Sequence, residues 1–293
     1  VTLTRTVIST GAGEETIKIN DGKTAASDRI VFNSSELNTG ADNDIVEVTN
    51  TTFKKISGTN YSSIQTGDGE DKVTIKDKTI FQDSSFIATG NGNDKVYLES
   101  GAKFDTGNVY TDAGNDEIYV NGAEFKNGGV HSGTGEDKIF INSGTFENSS
   151  IKGNQDSDEI NIRGNAKIKS SHISADAGAD DKINISGNAE IEGGTIQLGG
   201  YATDNGQSTD KTTLNVIENA ILKDVSIQAS QSLGKQVMNF HQSGEAKITT
   251  IVGSNNKDVI DITGNFTTTN GIDAKNGDDE INIHGGATAK INL

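Results

Sequence analysis

Residues 89–97 read TGNGNDKVY, a turn rich in Gly and Asn that is followed by an Asp and a short apolar pattern. Close copies return as TGDGEDKVT at 66–74, TDAGNDEIY at 111–119, SGTGEDKIF at 132–140 and AKNGDDEIN at 274–282. After each Asp, two apolar residues stand two positions apart. This period of two predicts a β-strand with one buried face.

The first apolar residue of each pair recurs twelve times, with a base period near 22 residues. A fixed period of this length is typical of solenoid proteins. Each unit contains three strand-like pieces separated by Asn/Gly bends, as in DEIYVNGAEFKNGGVHSGTGE at 116–136. The sequence therefore predicts an all-β fold, a parallel β-helix of about twelve turns with right-handed coiling. A β-sandwich is the alternative, but it does not explain one turn at one spacing. The recurring first apolar residues are Ile17, Val46, Val73, Val96, Ile118, Ile139, Ile160, Ile183, Leu214, Met238, Ile260 and Ile281.

The repeat predicts one domain over residues 1–293, and longer intervals predict inserted loops near 20–29, 49–65 and 197–212. The chain lacks an initiator Met and ends within the pattern, so we expect a segment of a longer protein. Only 31% of the residues are hydrophobic, which suits a thin layered core. Pro is absent, as expected for parallel strands, because Pro deletes a hydrogen bond of the ladder.

The net charge of −17 opposes binding to nucleic acid, which is itself polyanionic. No apolar run reaches the length that crosses a bilayer, so we expect no membrane span in this segment. The absence of Cys excludes disulfides and thiolate metal sites.

Two columns of charge follow from stacking the repeats. The residue before the first apolar residue alternates in sign, as in Lys95, Glu117 and Lys138, which is favourable between neighbouring strands. The residue before that one is acidic in nearly every copy. Stacked about 4.8 Å apart, like charges in water repel by roughly 1 kcal/mol for each neighbouring pair. This column predicts a bound cation, Ca²⁺ above all; the alternative is that these are solvated turn residues. The predicted metal ligands are Asp44, Asp71, Asp94, Asp116, Asp137, Asp158 and Asp181.

TGNGNDKVY resembles the nonapeptide of RTX (repeats-in-toxin) proteins, G-G-x-G-x-D-x-U-x, in which U is a large apolar residue. The resemblance implies Ca²⁺ bound by the Asp and by carbonyl oxygens of stacked turns. The glycine roles fall on Gly67/Gly69, Gly90/Gly92 and Gly133/Gly135. Two features depart from the family: Thr or Ser replaces the first Gly, and the copies are not in tandem. The resemblance therefore implies a single calcium edge on a β-helix.

The same resemblance implies a secreted or cell-surface protein of Gram-negative bacteria, such as a type I-secreted adhesin, an S-layer protein or an autotransporter-like passenger. We expect a non-catalytic structural or adhesive segment. The alternative is a β-helix enzyme that degrades polysaccharides. Its candidate groups are sparse: Arg163, the Asp180–Asp181 pair and four scattered His residues.

Outward-facing aromatic residues predict a contact strip for a partner. Tyr97, Tyr119 and Phe140 lie on successive repeats, and Tyr201 lies at the tip of the 197–212 loop. Such a strip would contact a host or bacterial surface glycan or protein, or another copy in a surface lattice. The alternative is that the rings stack and stiffen the fold. Asn161, Asn184, Asn215 and Asn239 continue the same position as a predicted amide ladder.

Overall fold

The computed structural model describes residues 1–20, 25–200, 211–229, 234–285 and 291–292. Parallel strands coil into an all-β solenoid of about ten turns with a spacing of about 23 residues. Among these residues the only helix is a single 3-10 turn, Ala26–Asp28. The predicted parallel β-helix is confirmed. Its right-handed coiling stays a prediction.

Contacts divide the chain into two compact units. The first comprises Val1–Asp137 and Gly144–Ser150, and the second comprises Lys138–Ser143 and Ile151–Leu293. That the whole chain forms one domain stays a prediction.

Within each unit, equivalent strands of successive turns pair in parallel, and the strands are of three kinds, called ladders 1 to 3. The strands of ladder 1, which follow the Gly/Asp turns, are Thr16–Ile19, Ile45–Thr49, Lys72–Lys76, Lys95–Glu99, Glu117–Lys126, Lys138–Glu147, Glu159–Ile162, Asp180–Ile185, Lys211–Glu218, Val237–Gln242, Val259–Thr263 and Glu280–His284.

Glu117–Lys126 and Lys138–Glu147 continue into ladder 2. The other strands of ladder 2 are Thr2–Thr4, Ile30–Asn33, Thr51–Lys54, Ile80–Gln82, Lys103–Asp105, Lys167–Lys169, Glu190–Glu192, Ile221–Gln228, Ala246–Val252 and Phe266–Thr268.

Ile221–Gln228 and Ala246–Val252 continue into ladder 3. The other strands of ladder 3 are Val7–Ser9, Glu36–Ala41, Ser63–Asp68, Phe86–Asn91, Asn108–Tyr110, Gly129–Thr134, Ser150–Gln155, His172–Ser174, Thr195–Gln197, Ile272–Asp273 and Ile291–Asn292.

The core consists of apolar residues stacked on their equivalents in the next turn. Val96 pairs with Ile118 in the first unit, and Ile139, Ile160 and Ile183 pair in sequence in the second. All five are at most 1% exposed, so the predicted buried column is confirmed.

Ladder 2 adds a column of phenylalanines that the sequence analysis did not single out. Six buried rings of the first unit stack nearly face to face, with centroids 4.4–5.0 Å apart. Each ring therefore contacts the equivalent ring of the next turn, which ties the turns together. The six residues are Phe32, Phe53, Phe81, Phe104, Phe125 and Phe146.

The alternating charges have the predicted register. Lys95 pairs with Glu117, and their side chains form an ion pair at 3.2 Å. In the second unit, Glu159 stands between Lys138 and Lys182. These groups are exposed or half-exposed, so each pair contributes at most about 1 kcal/mol.

The predicted amide ladder is also present. Asn184 Nδ2 donates to Asn161 Oδ1 at 3.0 Å, and Asn215 and Asn239 continue the chain of hydrogen bonds at 2.8 Å each. These hydrogen bonds join the four residues between turns, although the Asn161 Nδ2 at the start of the chain has no hydrogen-bond partner.

The predicted insertions are described in part. The one near 49–65 is narrower than predicted, because Thr51–Lys54 is a strand and only residues 55–62 lie between strands. The short helix lies within the 20–29 insertion, of which residues 21–24 fall outside the described part. Most of the 197–212 insertion, including Tyr201, also lies outside the described residues.

Candidate functional site

The Gly/Asp turns bring successive turns of the first unit into very close contact. Gly90 and Gly92 have φ values of +103° and +141°, which only glycine adopts without strain. A Cβ at Gly90 would lie 2.0 Å from the carbonyl oxygen of Gly67, and one at Gly92 would lie 1.7 Å from that of Gly69. Glycine is therefore required at both positions, because any side chain would collide with the backbone of the preceding turn.

The carbonyl groups of these turns already accept hydrogen bonds from neighbouring turns. Gly69 N–H donates to the Asn91 carbonyl at 2.7 Å, and Gly92 N–H donates to the Ala113 carbonyl at 2.8 Å. Ala113 N–H in turn donates to the Gly90 carbonyl at 2.9 Å. The carbonyl oxygens that the resemblance implies as calcium ligands therefore already accept backbone hydrogen bonds here.

The aspartate column faces inward, since all seven predicted ligands are at most 3% exposed. In the first unit, each Oδ1 accepts the backbone N–H of the equivalent residue one turn earlier. The Asp44, Asp71, Asp94 and Asp116 amides donate to the next Asp in the column at 2.7–2.8 Å. The column is therefore a ladder of side chain–backbone hydrogen bonds.

The same pattern appears in parts of the second unit. The Asp158 amide donates to Asp181 Oδ1 at 2.9 Å. Where the motif is lost, Gln236 replaces the Asp: its amide oxygen accepts the Thr212 N–H at 3.3 Å. Its own N–H donates to Asp258 Oδ1 at 2.9 Å. A neutral amide therefore fills the position of the carboxyl group.

The second carboxyl oxygen, Oδ2, accepts no hydrogen bond at Asp44, Asp71, Asp94 and Asp116. A threonine five residues earlier faces the carboxyl group, for example Thr89 beside Asp94. Thr89 Oγ1 lies 3.2 Å from the carbonyl oxygen of Thr111 in the next turn and donates to it. The Thr89 hydroxyl also lies beside the Asp94 carboxyl group, where hydrogen bonding lowers the pKa of Asp94 and offsets part of the effect of burial.

Burial raises the pKa of Asp94 and Asp116, because a charge in the core loses its hydration. The pKa of Asp94 is raised to about 6 and that of Asp116 to about 7. The pKa of Asp71 is raised as well, again chiefly by burial. The neighbouring carboxyl groups raise these pKa values further by repulsion. Near neutral pH, protons therefore relieve part of the charge at Asp116 and a smaller part at Asp94.

Calcium takes six to eight oxygen ligands, among them carboxylates and free carbonyl groups. Here Oδ1 and the turn carbonyls of the first unit already accept N–H groups. Within the described residues, no three His, Cys, Asp or Glu side chains come together in a way that could hold a metal ion. The geometry fits Ca²⁺ poorly, and calcium binding stays a prediction of the resemblance.

The predicted aromatic strip is divided among three environments. Tyr97 and Tyr119 stack at 4.9 Å with an interplanar angle of 4°, and both are half-buried. Phe140, in the second unit, lies 5.5 Å from the Arg163 guanidinium. Tyr201 lies outside the described residues. The Tyr97–Tyr119 pair matches the alternative interpretation, a stack that stiffens the fold.

The groups proposed for an enzyme have other partners. Arg163 Nε donates to Asn142 Oδ1 at 2.6 Å. Asp180 is exposed and pairs with Lys211 at 3.5 Å, while Asp181 is buried in the aspartate ladder. The two adjacent carboxyl groups therefore face opposite sides of the strand.

One polar cluster was missed in the sequence. His241 Nε2 lies 3.1 Å from Asp261 Oδ1, and His284 Nε2 lies 3.5 Å from the same oxygen. The three residues are spaced close to one repeat apart, which was the available signal. The cluster is a surface ion-pair network of ladder 1 when the imidazoles are protonated.

These features define the chain as a parallel β-solenoid whose turns are joined by ladders of like side chains. Comparison with protein-family models, with curated proteins and with solved structures found no match. The resemblance to RTX repeats therefore rests on the sequence motif alone, and membership of that family stays a prediction.

Proposed function

We propose that the chain is a non-catalytic structural or adhesive segment of a secreted or cell-surface bacterial protein, such as an adhesin, an S-layer protein or a passenger-type stalk. The observation that carries this proposal is the use of the same side chain, turn after turn, to bond one turn to the next. Phenylalanine rings, buried aspartates and asparagine amides each form such a ladder.

Ladders of this kind suit a scaffold. In a solenoid, stability is close to a sum over turns and over the interfaces between neighbouring turns. A side chain that bonds to its equivalent in the next turn strengthens the interface between those two turns, and the repeat provides such a contact again at further turns. The repeated acids, which could suggest chemistry in a single copy, act here as parts of those interfaces.

The partners we propose follow from the surface. The net charge of −17 opposes polyanions such as nucleic acid. No helix in the described part of the chain has the length and apolar character needed to cross a membrane. A surface glycan, a surface protein or a second copy in a lattice remains as the proposed partner of an adhesive segment.

The proposal is tested by assaying the purified segment on cellulose, polygalacturonate and alginate. Reducing ends report hydrolysis, and ultraviolet absorbance of unsaturated uronates reports lyase activity. We expect no turnover above the protein-free blank. Self-association is followed in parallel by analytical ultracentrifugation, and adhesion by retention of the segment on bacterial and epithelial cells.

Arg163→Ala and Asp180→Asn are the matched variants, because both residues are surface groups with partners outside the core. Turnover that either variant abolishes would replace the structural proposal with the enzyme. Absence of self-association and of cell retention would remove the adhesive part of the proposal.

A further inference from the structure

One connection in the first unit is longer than its counterparts. Residues 55–62 join the ladder 2 strand ending at Lys54 to the ladder 3 strand beginning at Ser63. Two turns later, only two residues separate Lys103–Asp105 from Asn108–Tyr110. The extra residues form a loop beside the outward face of ladder 3.

Hydrogen bonds fix this loop at both ends. The Ile56 amide donates to Ser34 Oγ at 2.8 Å, and the same Ser34 hydroxyl contacts Thr59 Oγ1. The Ser62 hydroxyl donates to the carbonyl oxygen of Lys54, the last residue of the preceding strand, at 2.8 Å. The loop is therefore an anchored part of the fold, and it sets the position of Tyr61.

Tyr61 is the most exposed of the described Phe and Tyr residues, at 46%. The Lys55 ammonium lies 4.0 Å from the centre of its ring and helps to orient it. Tyr61 lines two adjoining surface cavities, of about 340 and 330 Å³. Each volume lies at the lower end of the range for small-ligand sites, which begins at about 300 Å³.

The second cavity is built from rings and neutral polar groups. Phe86 and Tyr110 meet edge to face, with centroids 6.3 Å apart and planes at 71°. Ser84 and Asn108 complete the lining together with Tyr61. Two ring planes nearly at right angles form a corner, with hydroxyl and amide groups beside it.

The first cavity is also mainly polar and uncharged. Its lining includes the hydroxyl groups of Ser34 and Thr59 and the amide of Asn60. Arg5 and Glu36 also line it and offset each other in charge. No charged side chain lines the second cavity. Combined with a strongly acidic chain, this lining disfavours anionic ligands.

The chemistry matches a neutral sugar chain. The C–H faces of a hexose pack against aromatic rings, and its hydroxyl groups need donors and acceptors such as amides and hydroxyls. The Tyr110 hydroxyl stays protonated at neutral pH, because burial raises its pKa and the nearby Asp112 raises it further. It therefore remains a hydrogen-bond donor.

We propose that the groove formed by Tyr61, Phe86 and Tyr110, with Ser84 and Asn108, binds a neutral hexose-based oligosaccharide. This site lies on ladder 3, whereas Tyr97 and Tyr119 belong to ladder 1. It goes beyond the proposed scaffold role and does not depend on it.

The test uses the whole chain with cellohexaose, chitohexaose and mannohexaose as neutral probes and hexagalacturonate as the anionic probe. Saturation-transfer NMR detects contact with sugar ring protons, and calorimetry measures the affinity. We expect at least one neutral hexamer to bind and hexagalacturonate to bind more weakly. Tyr61→Ala and Tyr110→Ala should each weaken binding about tenfold, the loss expected for one aromatic contact.

Tyr97→Ala is the matched control, because it removes an aromatic ring from ladder 1 and should leave the affinity unchanged. Tyr61 is an exposed loop residue, so Tyr61→Ala should fold normally even if Tyr110→Ala does not. The proposal is overturned if no neutral hexamer binds at millimolar concentration, or if hexagalacturonate binds as tightly. Binding that survives Tyr61→Ala but is lost in Tyr97→Ala would place the site on the other aromatic strip. None of these outcomes bears on the proposal that the chain is non-catalytic, which the polysaccharide assays test separately.

Discussion

Replacing Asp94 and Asp116 by Asn should stabilise the protein at alkaline pH and remove much of its pH dependence. Asn has nearly the same shape as Asp. Its Oδ1 can accept the amide of the preceding turn, as Gln236 does for Thr212 in the second unit. Its Nδ2 can donate to the threonine hydroxyl oxygen that faces Oδ2. The variant therefore imitates the protonated column at every pH.

The sign follows from the raised pKa values. Folded Asp94 and Asp116 titrate at about 6 and about 7, against 3.8 for an unburied Asp. Between roughly pH 4 and pH 7, the folded state holds protons that the unfolded state has released. The stabilisation is complete below pH 4, and the free energy of unfolding falls as the pH rises through this window.

The magnitude can be bounded from the same values. At about 1.4 kcal/mol for each pH unit, the two carboxyl groups give an upper limit of roughly 7 kcal/mol. Water reaching the turns screens part of this, so we expect a loss of about 2–4 kcal/mol between pH 4 and pH 8. For a chain of this size, that is a fall in Tm of about 4–8 °C.

The assay is thermal and urea unfolding of the native chain and the double variant at pH 4 and pH 8, with EDTA present throughout. Glu70→Gln and Glu136→Gln, exposed acids in turns of the same unit, form the control pair and should change the pH dependence little. A double variant that is less stable at both pH values, with the native pH dependence intact, would refute the buried neutral column.

Three further results are expected. The Tm in EDTA should match the Tm in millimolar CaCl₂, because the carbonyls and Oδ1 atoms of the turns already accept N–H groups; a clear rise with calcium would instead support the RTX resemblance. Phe104→Ala should cost about 3–5 kcal/mol in urea unfolding, since the ring is buried between two others; a cost below 1 kcal/mol would show that the stack carries little energy. Gly92→Ala should destabilise the protein by about 2–4 kcal/mol more than Gly58→Ala. Both glycines have positive φ, but only at Gly92 would the added Cβ lie within 2 Å of a carbonyl oxygen. Equal costs would contradict the close approach of the turns.

Much of the fold was predictable because the repeat carries it. The period of the apolar pairs gave the solenoid and the buried column. The alternation of charge predicted the register within each unit, where Lys95 pairs with Glu117 and Glu159 stands between Lys138 and Lys182. The phenylalanine column also had a signal, since Phe81, Phe104 and Phe125 recur at nearly the repeat spacing.

The environment of the acids was harder to predict. Asp94 stands two residues before Val96, and residues two apart on a strand face the same side. The carboxyl group therefore enters the core beside Val96. The repulsion between stacked carboxylates that predicted a cation applies to charges in water. Burial replaces that repulsion with a raised pKa, and the demand for a cation falls accordingly.

The groove on ladder 3 could not be predicted from the sequence, for a different reason. Tyr61 lines one cavity with Phe86 and Tyr110, and hydrogen bonds to Ser34 and from Ser62 hold the loop 55–62 that carries it. The direction in which such a loop folds depends on these few bonds. Periodicity carries no information about them.

The protonation of Asp116 is the most direct test of whether protons and hydrogen bonds, rather than cations, neutralise the aspartate column. Its side-chain carboxyl ¹³C resonance, assigned with Asp116→Asn, can be titrated from pH 3 to pH 9 with and without CaCl₂. We predict a midpoint near 7 that calcium leaves unchanged. A carboxyl group that is ionised down to pH 4, or a resonance that shifts on adding calcium, would contradict this account.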